Sequence, residues 1–440
     1  MNLAKFLACL AVFACSSLAG PVSYYGELKA NGNKLIGSKT GNNAVQVRGV
    51  SLGWSNSGWE SAAFFNSTAV SAMANDWKAE IIRVPMGYAA TNAENEWNGS
   101  YLQDKANNMN RVKAAINAAI DNDIYVIIDW HAHNAHARPS DAVEFFTAMA
   151  QEYGNYDHVI FEIYNEPMDA YDGTWENIKA YAEEIIPVIR QYSDNLILVG
   201  TRHWSRRLDE VIGNELADGN VGYVLHFYAE NHYLNRSVYL EGAPDPSFKE
   251  VITMAMDAGL LVFISEYGTT NSNGGQGDKY NSHHAANTNE WLDFLNEKNI
   301  SSCAWHVNNK GEGSAFFETS FQPLSGNYSD RNSMKASGKY IYDMLIAYSE
   351  TAAWRNPTPI ATAKPSLRRS AKAWRTAGGM INVDLGYTPT APVTLQVFDL
   401  KGKLIATEYM NARFASFGAN ASGGILILKI GVQAFSILPP

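Results

Sequence analysis

Short apolar runs recur through the first three-quarters of the chain, each bounded by Gly, Pro or polar residues. Eight of them, at 45–54, 79–86, 125–131, 159–165, 196–201, 223–228, 261–267 and 303–308, are rich in Val, Ile, Phe and Tyr and read as buried strands. Between them the period changes. Within 111–120, Val112, Ala115, Ile116, Ala119 and Ile120 share one helical face, and within 175–190 Ile178, Tyr181, Ile185, Ile186 and Ile189 do the same. Eight strands alternating with helices predict an α/β chain folded as a (β/α)8 barrel. A doubly wound sheet is the alternative, but no glycine-rich fingerprint follows the first strand.

The pattern changes after Glu350. Residues 351–377 carry Pro357, Pro359 and Pro365 among six Lys and Arg, with no acidic residue, and read as a basic linker. Runs at 381–385, 393–398, 403–406 and 425–430 then read as short strands, with Lys401-Gly402 as a hairpin turn. They predict a small β-sandwich over 378–440. At the other end, Lys5 precedes an apolar stretch at 6–14, and Ser17-Leu18-Ala19 has the small residues of a cleavage site. Residues 1–19 are therefore expected to be a secretory signal, leaving 20–350 as the barrel. That stretch is too short for a stable membrane span.

Composition narrows the classes. The 440 residues are 46% hydrophobic and 18% charged, as in a globular protein. A net charge of −10 argues against nucleic acid as a partner. The 11 Trp and 23 Tyr fit either a large core or exposed rings that stack on sugars. Cleavage after Ala19 would remove Cys9 and Cys15 and leave Cys303, so no intramolecular disulfide is expected and Cys303 reads as an inert buried thiol.

Two glutamates close two of the apolar runs. Glu166 follows Ile163-Tyr164-Asn165, and Glu266 follows Phe263-Ile264-Ser265. Carboxylates at the carboxyl ends of different barrel strands would face one cleft. Hydrolysis of a glycosidic bond needs such a pair, one protonated on the leaving oxygen and one ionised near the anomeric carbon. A lone glutamate at a strand end is more often a cap or an ion-pair partner. The neighbours shift that balance. Asn165 offers an amide for a sugar 2-hydroxyl, and Arg83 on the second strand needs a carboxylate partner, which Glu266 would supply. His226 and Tyr228 on the sixth strand would hydrogen-bond the same pair.

The ordered set Asp129-Trp130-His131, Tyr164-Asn165-Glu166-Pro167, His226-Phe227-Tyr228 and Ser265-Glu266-Tyr267-Gly268 resembles the bacterial endoglucanase branch of glycoside hydrolase family 5. Trp305, Lys310 and Glu312 fit the same pattern. The resemblance implies a retaining endo-β-1,4-glucanase with Glu166 as acid/base and Glu266 as nucleophile. It further implies that Arg83, His131, Asn165, His226 and Tyr228 surround the central sugar and that Trp305 is its stacking platform. Lys310 and Glu312 resemble contacts on the glycone side, Trp204 an aglycone-side ring, and Trp54 another stacking ring after the first strand. Some relatives have an aromatic directly after the methionine of strand two; here Gly87 intervenes before Tyr88.

No cofactor is implied, and no metal. His131, His133 and His136 have a ligand-like spacing, but no acidic or thiol ligand accompanies them, so His133 and His136 read as loop or rim residues. The expected partner is a β-glucan, with mannan, xylan or lichenan as alternatives and a non-catalytic glycan-binding barrel as the distant rival. The chain is expected to be monomeric. Residues 393–402 resemble the sorting or surface-attachment modules of secreted Gram-negative enzymes, which implies contact with secretion machinery and an extracellular or cell-surface location.

Overall fold

The computed structural model describes residues 20–88, 98–238, 246–272, 274 and 285–355, then 372–375, 380–384, 393–399, 403–410, 414–418, 426–430 and 433–437. The expected signal at 1–19, most of the expected linker and the Lys401-Gly402 turn lie outside the described residues. The chain divides into two units, Met1–Thr358 and Pro359–Pro440.

In the first unit a short helix, α1 (Pro21–Tyr25), leads into an antiparallel hairpin of β1 (Leu28–Asn31) and β2 (Lys34–Gly37). The strands β3 (Arg48–Leu52), β4 (Ile81–Gly87), β5 (Tyr125–His131), β6 (Val159–Glu162), β7 (Ile197–Gly200), β8 (Val221–Tyr228), β9 (Val262–Gly268) and β10 (Ser302–Val307) follow. They pair in parallel in chain order, and β10 pairs back onto β3 to close the barrel. All eight coincide with the apolar runs, with ends moved by no more than three residues. The helices are α2 (Ser67–Asn75), α3 (Lys105–Asp121), α4 (Pro139–Tyr153), α5 (Trp175–Arg190), α6 (Arg202–Ser205), α7 (Phe248–Asp257), α8 (Ala285–Lys298) and α9 (Ala336–Thr351).

Helix starts follow capping chemistry. The Asn66 side chain accepts from the Ala69 amide at the start of α2, and Thr174 accepts from the Asn177 amide at the start of α5. Ser247 and Glu250 form a reciprocal capping box on α7. The crossover after β7 departs from the regular alternation: α6 spans four residues, and three of them, His203, Trp204 and Ser205, have positive φ.

Inward-facing residues change character along each strand. On β5, Tyr125 and Ile127 join an apolar layer at the strand starts, whereas Asp129 and His131, at the next two inward positions, are polar. The same switch runs from Ile81 to Arg83 on β4, from Ile160 to Glu162 on β6, and from Val224 to His226 on β8. The apolar layer is sealed from below by Val22, Tyr25, Leu28 and Leu35 of α1 and the hairpin. Sequence reading did not anticipate that hairpin, although Asn31-Gly32 is a strong turn signal and Gly32 adopts φ +60°. Cys303 is fully buried in this layer, and burial pushes its thiol up. Among the described residues no helix is long and apolar enough to cross a membrane.

Among the described residues, the second unit contains two antiparallel sheets. One orders β11 (Lys372–Arg375), β12 (Met380–Asp384) and β15 (Phe414–Gly418); the other orders β14 (Leu404–Met410), β13 (Val393–Asp399), β16 (Leu426–Ile430) and β17 (Gln433–Ile437). Alternate residues Ile381 and Val383 of β12, and Leu395 and Val397 of β13, are buried, the period expected of strands with one covered face. β11 falls inside the stretch 351–377 expected to be linker. Its Lys and Arg read as tether charge, but an edge strand accommodates both, and β11 is an edge strand.

The barrel leaves little tolerance between β3 and β4. A Cβ on Gly49 would lie 1.7 Å from the Ile81 carbonyl oxygen, so these strands approach only because Gly49 has no side chain. Gly49→Ala is expected to lower stability by about 2 kcal/mol or more. The urea midpoint of the variant measures this.

Candidate active site

Where the interior turns polar, Arg83 occupies the centre with no exposed surface. Its Nε and Nη2 donate to the two oxygens of Glu162 at 2.8 and 3.1 Å, and its Nη1 donates to Glu266 Oε2 at 2.8 Å. Nη2 also lies 2.9 Å from Asp129 Oδ2 and donates to Asn165 Oδ1 at 2.7 Å. One guanidinium thus serves three buried carboxyls on three strands. Burial disfavours its charge, but Asp129, Glu162 and Glu266 outweigh burial and push its pKa higher still. The carboxyls are not equally compensated. Burial pushes Asp129 up to about 7 against the pull of Arg83, and raises Glu162 against the same pull.

Glu266 has both oxygens occupied by donors: Arg83 on Oε2, and the Tyr228 hydroxyl on Oε1 at 2.6 Å. The ring of Tyr228 passes over Gly268, where a Cβ would come within 2.3 Å of it, so the glycine after Glu266-Tyr267 is what admits the ring. Burial raises the Tyr228 pKa and the Glu266 charge raises it further, so the phenol stays protonated and donates.

Glu166 has different neighbours. His226 Nδ1 lies 3.0 Å from its Oε1, and His133 Nε2 lies 3.3 Å from its Oε2. Burial opposes the charge of Glu166, but the two histidines outweigh it and hold the carboxyl below the ordinary range. Burial likewise opposes protonation of His226, yet Glu166 and Glu266 raise its pKa above the usual value. Both shifts run in the direction that favours a proton on the imidazole over one on the carboxyl.

One oxygen each of Glu166 and Glu266 and a nitrogen of His226 all lie within 4.8 Å of one another. Such a triad resembles a cation site. Its donors are already engaged with Arg83, Tyr228 and each other, and a guanidinium 2.8 Å from Glu266 would repel a second cation.

The aromatic candidates line up beside this cluster. Trp305 stacks parallel to His131 at 5.5 Å between centroids, and Trp54 meets the same imidazole edge-on at 4.2 Å. His131 is oriented by Asp129, whose Oδ2 lies 2.6 Å from its Nδ1, and burial keeps the ring neutral. Trp204 sits in a turn where His203, Trp204 and Ser205 all have positive φ, a costly conformation for three consecutive non-glycine residues. That turn is tied to the Asn165-Glu166-Pro167 segment, since the Trp204 amide donates to the Pro167 carbonyl and the Ser205 hydroxyl to the Asn165 carbonyl. Lys310 and Glu312 pair with each other at 2.9 Å. Glu312 also accepts from Ser314 and faces His306; burial opposes its charge, but His306 and Lys310 outweigh burial and hold its carboxyl down to about 2. Tyr88, one position later than the aromatic of some relatives, is buried against Trp130 and donates to Asp141, so it offers no ring to a ligand.

Four polar residues of the cluster went unread as site residues: Asp129, Glu162, Ser265 and His133. Asp129 and Glu162 carried a signal, because an acidic residue inside a continuous apolar strand must have a buried partner. His133 reads from sequence as a loop or rim residue, but the chain after β5 returns it to Glu166. His136 is engaged structurally by the Tyr164 hydroxyl and the Tyr171 carbonyl.

Replacing Arg83 tests the charge balance. Arg83→Met leaves buried carboxyls without a counter-ion and is expected to cost about 3–5 kcal/mol at neutral pH. Asp129 and Glu162, raised by burial, then lose the opposing pull of Arg83, and each has a folded pKa above its unfolded value. Its stabilising contribution is present at low pH and lost as pH rises. The deficit should therefore shrink toward about pH 5, as read from denaturation midpoints across pH.

The family model described as cellulase (glycosyl hydrolase family 5) matches residues 37–311. Endoglucanase Z of Dickeya dadantii is 36% identical over 344 residues, 78% of this chain and 70% of that protein. Cellulase CelDZ1 of a Thermoanaerobacterium species is 36% identical over 345 residues, 74% of this chain and 81% of that one. The crystal structure of the catalytic domain of Thermobifida fusca endoglucanase Cel5A superposes with a TM-score of 0.63 at 28% identity, covering 74% of this chain and all of that domain. The match includes Arg83 on β4, Glu166 in the segment after β6 and Glu266 on β9, and the chain belongs to glycosyl hydrolase family 5, the cellulases.

Proposed function

We propose that the chain is a retaining endo-β-1,4-glucanase in which Glu166 is the acid/base and Glu266 the nucleophile. The observation that carries this reading is the spacing and asymmetry of the two glutamates. One oxygen of each lies within 4.8 Å of the other, which is in keeping with the closer carboxyl separation, about 5–5.5 Å, of retaining enzymes. Arg83 and Tyr228 both donate to Glu266, which suits an ionised nucleophile; Glu166 instead lies 3.0 Å from His226, a titratable partner with which an acid/base can exchange its proton.

In the first step a Glu266 oxygen attacks the anomeric carbon while Glu166 protonates the departing glycosidic oxygen. In the second, Glu166 takes a proton from water, which displaces Glu266 and restores the original configuration. Asn165 is prepared for the sugar: Arg83 holds its Oδ1, and its buried Nδ2 has no partner among the described residues, so the amide is available to a 2-hydroxyl. Trp305, Trp54 and Trp204 offer faces for glucosyl rings, with Lys310 and Glu312 further out. The β-1,4-glucan substrate is carried over from the endoglucanase and cellulase relatives; a Thermobifida fusca Cel5A variant structure is a complex with cellotetraose.

We also propose that the protein is exported, with cleavage after Ala19, and that residues 378–440 act as an attachment or sorting module. Support comes from the charged and apolar start of the chain and from the resemblance of 393–402 to such modules.

On carboxymethyl cellulose or a cello-oligosaccharide, proton NMR of the first product should show the β-anomer; the α-anomer overturns the mechanism. Glu266→Gln should lower turnover more than ~1,000-fold with the melting temperature little changed. Faster hydrolysis of mannan, xylan or lichenan than of cellulosic substrates would reassign the polymer. In a Gram-negative host, protein recovered outside the cytoplasm should have an intact mass lacking residues 1–19. Recovery of the full-length chain in the cytoplasm alone would refute export.

A further inference from the structure

β9 contains one residue more than its neighbours can match. Against β8, Val224 pairs with Phe263 and His226 with Glu266, so two steps on β8 meet three on β9. Against β10, Ser302 pairs with Ile264 and Ala304 with Tyr267, again two against three. This bulge breaks the alternation of faces. Phe263 joins the apolar layer inside the barrel and Ile264 the layer outside it, but Ser265 and Glu266 then both point inward. Glu266 reaches Arg83 and Tyr228. Ser265, fully buried, reaches Glu162 and His226.

The protons around Ser265 can be counted. Glu162 Oε1 accepts from Arg83 Nη2 and Oε2 from Arg83 Nε, so both oxygens face donors and the carboxyl is ionised despite its burial. The Ser265 hydroxyl lies 2.8 Å from Oε1 and gives it its only hydrogen. His226 Nε2, 2.9 Å from Ser265 Oγ, must then be the donor in that contact. A neutral His226 can carry its hydrogen only on Nε2, and Nδ1, which faces Glu166 at 3.0 Å, is left as an acceptor.

We propose that Ser265, anchored by Glu162, is a positioning residue that locks the tautomer of His226 and thereby keeps a proton available to Glu166 and keeps Glu166 basic once that proton is spent. This deepens the reading of Glu166 as the acid/base and rests on it. With Nε2 protonated, the single proton between His226 and Glu166 is either on Nδ1 or on the carboxyl. When Glu166 delivers it to the leaving oxygen, neutral His226 presents a lone pair to the carboxylate. That leaves Glu166 a stronger base toward water in the second step. Without the lock, His226 can move its hydrogen to Nδ1 and stabilise the carboxylate, which weakens both roles.

Other charges face the same pair and remain in any Ser265 variant. Arg83 and Glu266 act from β4 and β9, and Asp129 and His131 from β5. His133 touches Glu166, Arg206 and His232 act on it from the segments after α6 and β8, and Tyr228 lies within reach of its charge. A comparison of wild type with Ser265→Ala therefore isolates the hydroxyl.

The test uses the full mature chain and two substrates that differ in their need for an acid. For cellotetraose, kcat/KM of Ser265→Ala should fall about 10–100-fold. For 2,4-dinitrophenyl β-cellobioside, whose leaving group departs without protonation, kcat/KM should stay within about twofold of wild type. The basic limb of the cellotetraose pH profile should move to lower pH, and Ser265→Thr, which keeps the hydroxyl, should restore both. An equal loss on the two substrates, or an unmoved pH profile, overturns the proposal. Failure of the underlying reading looks different: Glu166→Ala would then lose activity equally on both substrates.

Discussion

The barrel interior depends on one cation. Arg83 is buried without exposed surface, and a guanidinium in that position is tolerable only because carboxyls from β5, β6 and β9 surround it. The dependence is mutual. Asp129, Glu162 and Glu266 would each pay a large desolvation cost, and among the described residues Arg83 is the guanidinium or ammonium paired with each of them. Five donor hydrogens in a fixed plane allow Arg83 to grip Glu162 with two bonds, hold Glu266 with a third and orient Asn165 with a fourth. A lysine could not make that set of contacts. The site is therefore assembled before a substrate arrives, on the barrel strands and the first residues of the loops that leave them.

From that centre two arms diverge with different proton chemistry. Toward Glu266 the contacts are all donors, and a carboxylate so held keeps its charge. Toward Glu166 the route passes through Glu162, Ser265 and His226, and it ends in a shared proton. The arms meet at Arg83, so the electrostatics of the two glutamates are coupled by hydrogen bonds and not only by distance. The bulge in β9 makes this possible, since a strand alternating regularly from Phe263 would have turned Ser265 inward but sent Glu266 to the outer face.

Much of the barrel was legible because burial leaves a periodic trace. The eight strand runs and the 175–190 helix could be read directly, since a parallel strand covered on both faces is continuously apolar and a packed helix repeats every three or four residues. The N-terminal hairpin and β11 were harder. β1 and β2 are four residues each and alternate with exposed polar positions, and β11 carries the same charges as a tether. Within the site, Glu166, Glu266, Arg83, Asn165, His226 and Tyr228 stand at strand ends and are brought into one connected cluster. Asp129 and Glu162 lay in plain view inside apolar runs, and their burial follows from the strands themselves.

Taken alone, the sequence determined the barrel, the strand ends that carry polar side chains and the family, because hydrophobic periodicity and ordered motifs are local properties of the chain. What it did not contain is the register between strands. Whether Ser265 faces inward beside Glu266, which carboxyls share Arg83, and which nitrogen of His226 meets Glu166 all depend on pairings between residues as many as 183 positions apart. Those pairings are set when the sheet closes and its interior must balance charge. The division of labour between the two glutamates is in that sense a property of the closed barrel.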